Sequence, residues 1–160
     1  MKISFIVKLT FLLSAILFNG CDRNNEERTY RFIINNESGF DIRLEIFESG
    51  TNNFVKEIII SDSDHTIKNF QSTDMGQVYG IQDFFEGDSV NIIYGNNQKI
   101  QSYKCEFLKP ENNGCSETGN IANDGDTQWK RERQGQLYIR TYTFNPENFE
   151  EATPCDGDCE

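Results

Sequence analysis

The chain has one histidine, one tryptophan, two methionines and three prolines in 160 residues, and 15 basic side chains against 26 acidic ones. A single His excludes metal sites built from several imidazoles. It also leaves any Ser–His–Asp or Cys–His chemistry with one available base, His65. The shortage of cations gives a net charge of −11, which argues against nucleic acid and against an anionic lipid surface as partners. No Pro- or Ser-rich linker, internal repeat, CxxC pair or GxSxG elbow is present. A chain of 160 residues is then one ordinary domain. Apolar residues make up only 36%, yet 13 Phe, 6 Tyr and 17 Ile suffice to fill a core.

What is there begins with a segment unlike the rest. Lys2 and Lys8 are the only charges before Asp22, and Leu9–Phe18 (LTFLLSAILF) is almost wholly apolar. As a helix that run rises about 15 Å against about 30 Å of hydrocarbon, too short for a lasting span even with Ile3–Val7 added. A basic start, a short apolar run and a small residue before a break predict a secretory signal over residues 1–20. A buried N-terminal helix is the alternative.

At the break, Leu17-Phe18-Asn19-Gly20-Cys21 resembles the lipobox of bacterial lipoproteins. Gly20 and Cys21 match it, while Phe18 and Asn19 depart from its usual Leu and small residue. The resemblance implies that Cys21 takes a thioether-linked diacylglycerol and, as the new N-terminus, an amide-linked chain such as palmitate. At about 0.8 kcal/mol per buried CH₂, more than one acyl chain is a stable membrane anchor without a transmembrane helix. Ordinary cleavage near Gly20, with Cys21 as a disulfide partner, is the rival; setting Cys21 apart from the five cysteines leaves an even four, which opposes it. Loss of Lys2 and Lys8 would take the net charge from −11 to −13.

Residues 21–29, with Asp22-Arg23-Asn24-Asn25-Glu26-Glu27 after the Cys, form a polar tether. It is similar to the acidic stretches of surface-displayed Bacteroidota lipoproteins, whereas Asp22 directly after the Cys is similar to the inner-membrane retention signal of enterobacteria. The expected location is the cell envelope, lipid-anchored at the outer membrane on its periplasmic or surface face.

From Tyr30 the apolar pattern has period two. Tyr30, Phe32 and Ile34 alternate with Arg31 and Asn35, and Phe40, Ile42, Leu44 and Ile46 alternate with Asp41, Arg43 and Glu45. Both are half-buried antiparallel strands, and Asn35-Asn36-Glu37-Ser38-Gly39 between them predicts a hairpin. Phe54–Ile60 is a further strand after the turn Ser49–Asn53. His65–Phe70 reads as a short strand, and Val78–Phe85 as another or as an apolar loop. Val90–Tyr94 and Lys99–Cys105 flank Gly95-Asn96-Asn97 as a second hairpin. Gln128–Arg133 pairs with Leu137–Phe144 across Gln134-Gly135. Asn145-Pro146-Glu147 then starts a short helical turn, with Asn145 as cap and Pro146 at the first position. Such strands expose an oily face unless two sheets cover each other. The predicted fold is therefore all-β: an antiparallel two-sheet sandwich over residues 30–152, immunoglobulin-like or a related Greek key, with a barrel as runner-up and an acidic Cys-containing tail at 153–160.

The Cys21 anchor, Tyr30–Asn36, Ser38-Gly39-Phe40 and Tyr142-Thr143-Phe144 with its acidic turn resemble small Bacteroidota-type lipoproteins. The resemblance implies a location and a sandwich, and brings no catalytic residue with it.

Four cysteines remain, Cys105, Cys115, Cys155 and Cys159, in a compartment outside the reducing cytosol. Three pairings exist; Cys105–Cys115 with Cys155–Cys159 is favoured because each closes a polar, Gly-containing loop. A four-Cys zinc site is the rival, without the usual CxxC knuckles. Asn123-Asp124-Gly125-Asp126 and Asp156-Gly157-Asp158 crowd oxygens as Ca²⁺ requires but lack the EF-hand spacing, so plain turns are expected. Ser61-Asp62-Ser63-Asp64-His65 gathers triad residue types, but neighbours on a strand point to opposite faces, and an exposed turn His is expected. Trp129 beside Lys130-Arg131-Glu132-Arg133 would suit a sugar or an anion; edge charges that block aggregation are the stronger reading. Asp88-Ser89-Val90 looks like the Bacteroidota O-glycosylation sequon, which would make Ser89 an acceptor.

The functional expectation is a non-catalytic binding module anchored to a membrane by its N-terminal lipid, without cofactor or metal. Its ligand is a protein or glycan, met through the long loop Phe107–Thr127. A structural subunit of an envelope complex is the alternative, and a glycan or peptide hydrolase the remote one.

Overall fold

The computed structural model describes residues 27–48, 51, 53–73, 76–87, 89–103, 121–122, 128–155, 157 and 159. The signal segment, Cys21, Cys105, Cys115, Asn123–Asp126 and most of the Phe107–Thr127 loop lie outside them. In chain order the elements are β1 (Arg28–Asn36), β2 (Ile42–Phe47), β3 (Phe54–Ile60), β4 (His65–Ser72), α1 (Ile81–Phe85), β5 (Ser89–Tyr94), β6 (Lys99–Tyr103), β7 (Lys130–Gln134), β8 (Leu137–Phe144), α2 (Pro146–Glu151) and β9 (Thr153–Pro154).

They form the expected two-sheet sandwich. One sheet runs β4-β1-β8-β7 and the other β3-β2-β5-β6-β9. Period-two alternation explains the core: Tyr30, Phe32 and Ile34 of β1, Ile42, Leu44 and Ile46 of β2, Val90, Ile92 and Tyr94 of β5, and Tyr142 and Phe144 of β8 are all buried in one cluster. β1 beside β4, and β2 beside β5 with β3 and β6 flanking, is the arrangement of strands B–E and C–F in an immunoglobulin-like domain. The place beside β1 is filled from the far end of the chain. β8 pairs with β1 in parallel, from Thr29↔Leu137 to Asn36↔Phe144, the one departure from antiparallel pairing among the described ladders. A parallel neighbour needs a long connection, and here nearly the whole domain supplies it.

The predicted β1–β2 hairpin is not formed, because the two strands belong to different sheets. Asn36 is the cause. Its side chain is fully buried and donates to the carbonyls of Phe40 at 2.8 Å and Ile60 at 2.9 Å, while its Oδ1 accepts from the Ser38 N–H at 3.1 Å and hydroxyl at 2.7 Å. This knot ties the β1–β2 connection to the end of β3 and carries the chain across the sandwich. β2–β3, β5–β6 and β7–β8 pair as antiparallel neighbours, the last two across their predicted turns with Gly95 and Gly135 at positive φ, while Ser49, Gly50 and Asn52 of the first turn lie outside the described residues.

Val78–Phe85 is neither strand nor plain loop: it contains helix α1, with Ile81, Phe84 and Phe85 buried on one side and Val78 left exposed. α1 seals the open flank between the edge strands β3 and β4. Lys56 of β3 donates to the Phe84 carbonyl at 2.9 Å, and Lys68 of β4 donates to the Asp83 carbonyl at 3.3 Å. Both ammonium groups also meet the Glu86 Oε1, at 2.9 and 2.6 Å. α2 closes one end of the sandwich in the same manner. Phe149 stacks on Phe40 at 3.8 Å, and Lys99 donates to the carbonyls of Phe149 and Glu150. Cations on the last carbonyls of a helix complement its dipole. α2 starts as expected, with Asn145 at the N-cap and Pro146 in the first turn, and the Asn148 Oδ1 accepts from the Asn145 N–H at 2.7 Å.

Candidate functional site

The sandwich has two distinct ends. At one, the Thr29 N–H donates to the Gln136 carbonyl, and the Gln77 carbonyl accepts from the Tyr30 and Ser72 hydroxyls. This rim carries the start of β1, which takes in Arg28 and Thr29 of the expected tether, and therefore lies where the residues before Arg28 join the domain. At the other end, about 30 Å away along the nine residues of β1, the 37–41 connection, the β3–β4 turn, the β5–β6 turn and α2 come together. The Ser63 N–H bonds to the Asn36 carbonyl, the Gly95 N–H to the Asp41 carbonyl, and the Glu37 N–H to the Phe144 carbonyl. We call this the distal rim.

A groove of about 500 Å³ opens at the distal rim on the outer face of the four-stranded sheet, between β8, the start of β7 and α2. Thr141 and Thr143 form one wall and Asn145, Glu147, Asn148 and Glu151 the other, with Gln128 and Lys130 at its ends. Lys130 is tied to Glu132 at 2.7 Å, and that hydrogen bond raises its pKa. Gln128 accepts the Tyr142 hydroxyl at 2.7 Å. The rim continues from the groove across the sheet, because Thr143, Asn35 and His65 lie opposite one another on β8, β1 and β4. The Asn35 amide reaches the Thr143 hydroxyl at 3.4 Å.

A smaller cleft of about 330 Å³ sits at the same rim on the outer face of the other sheet, lined by Asp41, Arg43, Ile59, Asn96 and Asn97 among others. The Arg43 Nη2 donates to the Asn97 Oδ1 at 3.0 Å, and its Nε lies 3.3 Å from Glu45 and 3.8 Å from Glu57. Two carboxylates thus neutralise the guanidinium, and the exposed Ile59 flanks it.

His65 opens β4 with its side chain exposed; its backbone N–H bonds to the Asp64 Oδ1 at 2.8 Å, and its ring Nδ1 lies 3.7 Å from the same oxygen. The Ser63 hydroxyl turns to Asp62 instead, so the triad residue types of this turn are not assembled. Trp129 does not face a ligand: it is 3% exposed, its indole N–H donates to the Ile121 carbonyl at 2.9 Å, and its ring tilts against Tyr142. The sugar-stacking role considered for it is corrected accordingly, since the indole is needed for the core. Lys130, Arg131 and Arg133 occupy an edge strand in which every residue is exposed. Cys155 and Cys159 are joined, with Cα atoms 5.3 Å apart, as in the favoured pairing. Ser89 is the first residue of β5 and only 7% exposed, so sugar attachment there requires its hydroxyl to be uncovered. Among the described residues no three His, Cys, Asp or Glu side chains gather as metal ligands.

The groove residues Thr141, Thr143 and Asn148 were not singled out from sequence. Their signal was the Thr-x-Thr spacing on the polar face of an otherwise apolar strand, directly before a helix start.

No protein family and no curated protein matches the chain. Among solved structures, the dioxygenase domain of a dioxygenase and carbohydrate-binding protein fusion from the cellulolytic bacterium Streptomyces sp. SirexAA-E is similar over 78% of this chain and 83% of that one, at 7% identity and a TM-score of 0.30. A likeness so distant carries no functional argument.

Proposed function

We propose that the chain is a lipid-anchored, extracytoplasmic binding module without catalytic activity, held to an envelope membrane through Cys21 and meeting its partner at the distal rim. The supporting observation is the position of the two clefts. Both lie at the end of the strands opposite Arg28. Seven residues from Cys21 to Glu27 extend at most about 24 Å. An anchor at Cys21 therefore joins the lipid, within that reach, to the end of β1 opposite the clefts. The polar rim and a net charge that goes from −11 to −13 with the loss of Lys2 and Lys8 suit a surface that faces water and stands off anionic headgroups.

The test is metabolic labelling with an alkyne fatty acid in cells expressing the wild type or Cys21→Ala. The wild type is expected to carry label and to sediment with membranes, and the variant to lose both. An unlabelled wild type found in the cytosol with reduced cysteines would end this reading.

A second reading, a structural subunit of an envelope complex, is favoured by β7. It is an edge strand with all five residues exposed, bearing Lys130, Arg131 and Arg133 on an otherwise acidic chain. Charge reversal at these three positions should release a stoichiometric envelope partner in pull-downs; retention of that partner counts against it.

A further inference from the structure

We propose that the groove between β8 and α2 binds a neutral oligosaccharide, laid across the strands along the distal rim from Asn148 toward His65. The proposal rests on the binding-module reading and names the ligand class of the same rim.

Chemistry narrows the occupant. Its volume of about 500 Å³ is within the range of small-ligand clefts, about 300–1,000 Å³. Most such clefts are lined by apolar and aromatic side chains; among the described residues this one has none, which disfavours a hydrophobic guest. An anion would meet Glu147 and Glu151, while the one ammonium among the described lining residues, Lys130, is already engaged by Glu132. A bare metal ion would need a tight set of ligands, and the described residues gather none. What the walls do offer is donors and acceptors in close succession: the Thr141 and Thr143 hydroxyls, the Asn145 amide, the Asn148 Nδ2 group and two carboxylates. Asn148 spends its Oδ1 on the Asn145 N–H, so its amino side is left to donate. A polyhydroxylated, uncharged molecule answers that pattern with a hydroxyl for each group.

Geometry extends the site. Across the sheet, Thr143 is followed by Asn35 and then His65, one residue per strand. Two strand spacings add about 10 Å to the groove, so the track accommodates a chain of several sugar rings. An extended peptide fits less well, because strand addition takes its affinity from a sheet edge parallel to the strands, and this track crosses them.

The test uses the full-length lipoprotein in detergent micelles. It is applied to an array of linear gluco-, xylo- and manno-oligosaccharides from disaccharide to hexasaccharide, with uronate-containing oligosaccharides and extended peptides beside them. Bound glycans are then titrated against the wild type, Thr141→Val and His65→Ala, with circular dichroism confirming the fold. Neutral oligosaccharides are expected to bind and to shift the amide resonances of β8 and α2. Thr141→Val should weaken all of them about three- to tenfold, the worth of one hydrogen bond. His65→Ala should weaken only the longer ones. The proposal is overturned if no neutral glycan binds, if only the acidic glycans or peptides bind, or if Thr141→Val binds as the wild type does. Should His65→Ala bind every length like the wild type, the glycan does not cross the sheet. Fatty-acid labelling at Cys21 without sugar binding would sink this inference alone, whereas sugar binding by an unlabelled protein would sink the anchoring alone.

Discussion

Asn36 shows how much of a β fold can depend on one polar side chain. All four of its contacts are made inside the protein, to Phe40, Ile60 and both polar groups of Ser38. Removing it leaves the Ile60 carbonyl and the Ser38 N–H short of a partner, while the Ser38 hydroxyl and the Phe40 carbonyl keep their bond to each other, and each orphaned group costs about 1–3 kcal/mol. Asn36→Ala is therefore expected to lose about 2–4 kcal/mol of unfolding free energy in urea titrations. The neighbouring Asn35→Ala, which gives up one long bond of 3.4 Å to Thr143, should lose far less. From sequence, Asn36 was one of five turn residues in a row, and nothing in local turn chemistry separates a residue that reverses a chain within a sheet from one that carries it between sheets. The burial of Trp129 is hidden from the sequence for a related reason. A Trp next to three cations reads as a surface feature, yet its indole is paired with a carbonyl 8 residues upstream that the one-dimensional pattern does not place nearby.

Hairpins and alternating strands were legible because their determinants are local: a Gly at positive φ for β5–β6 and β7–β8, and one-in-two burial along β1 and β2. α1 was missed although Ile81, Phe84 and Phe85 stand at helical spacing, because five residues are too few for a periodicity to outweigh aromatic strand propensity. Its stability depends on Lys56, Lys68 and Glu86. The hydrogen bond from Lys68, then that from Lys56, and the charge of both hold the Glu86 carboxyl down at about 2. A folded-state value below the unfolded one, about 4.3, stabilises the native state above that pH and ceases to do so as the pH falls through about 2. Glu86→Gln should thus be less stable than the wild type at neutral pH, by only about 0.5–1 kcal/mol because the triplet is half exposed. The two proteins should converge as the pH is lowered from about 5 to about 2, read by thermal melts across that range. The C-terminal element gives a second test. β9 pairs with Lys99 and Ile100, and the Cys155 N–H bonds to the Gln98 carbonyl beside a disulfide that spans 4 positions. The chain-entropy cost of so small a loop is about 2 kcal/mol. Cys159→Ser should then raise amide exchange at Ile100 and Cys155 while leaving β1 and β2 protected.

At the scale of the whole molecule, composition and periodicity were enough for the two-sheet sandwich, but not for the neighbour of β1. No rule of spacing tells that a strand more than 100 residues downstream lies parallel to the first, since register between distant segments is set by which apolar faces remain to be covered. The candidate groove was illegible for the same reason: Thr141 and Thr143 meet Asn145 and Asn148 only after α2 folds back at the end of β8. That late strand has a mechanical consequence. β1 is bracketed along almost its full length, by β4 on one side and β8 on the other. A pull transmitted through the residues before Arg28 acts along the axis of β1, so both ladders are loaded in shear and must slip together rather than unzip one bond at a time. Stretching the molecule by its two termini in an optical trap should reveal one high-force rupture, and Ile33→Pro, which removes a donor from the middle of β1, should lower it sharply.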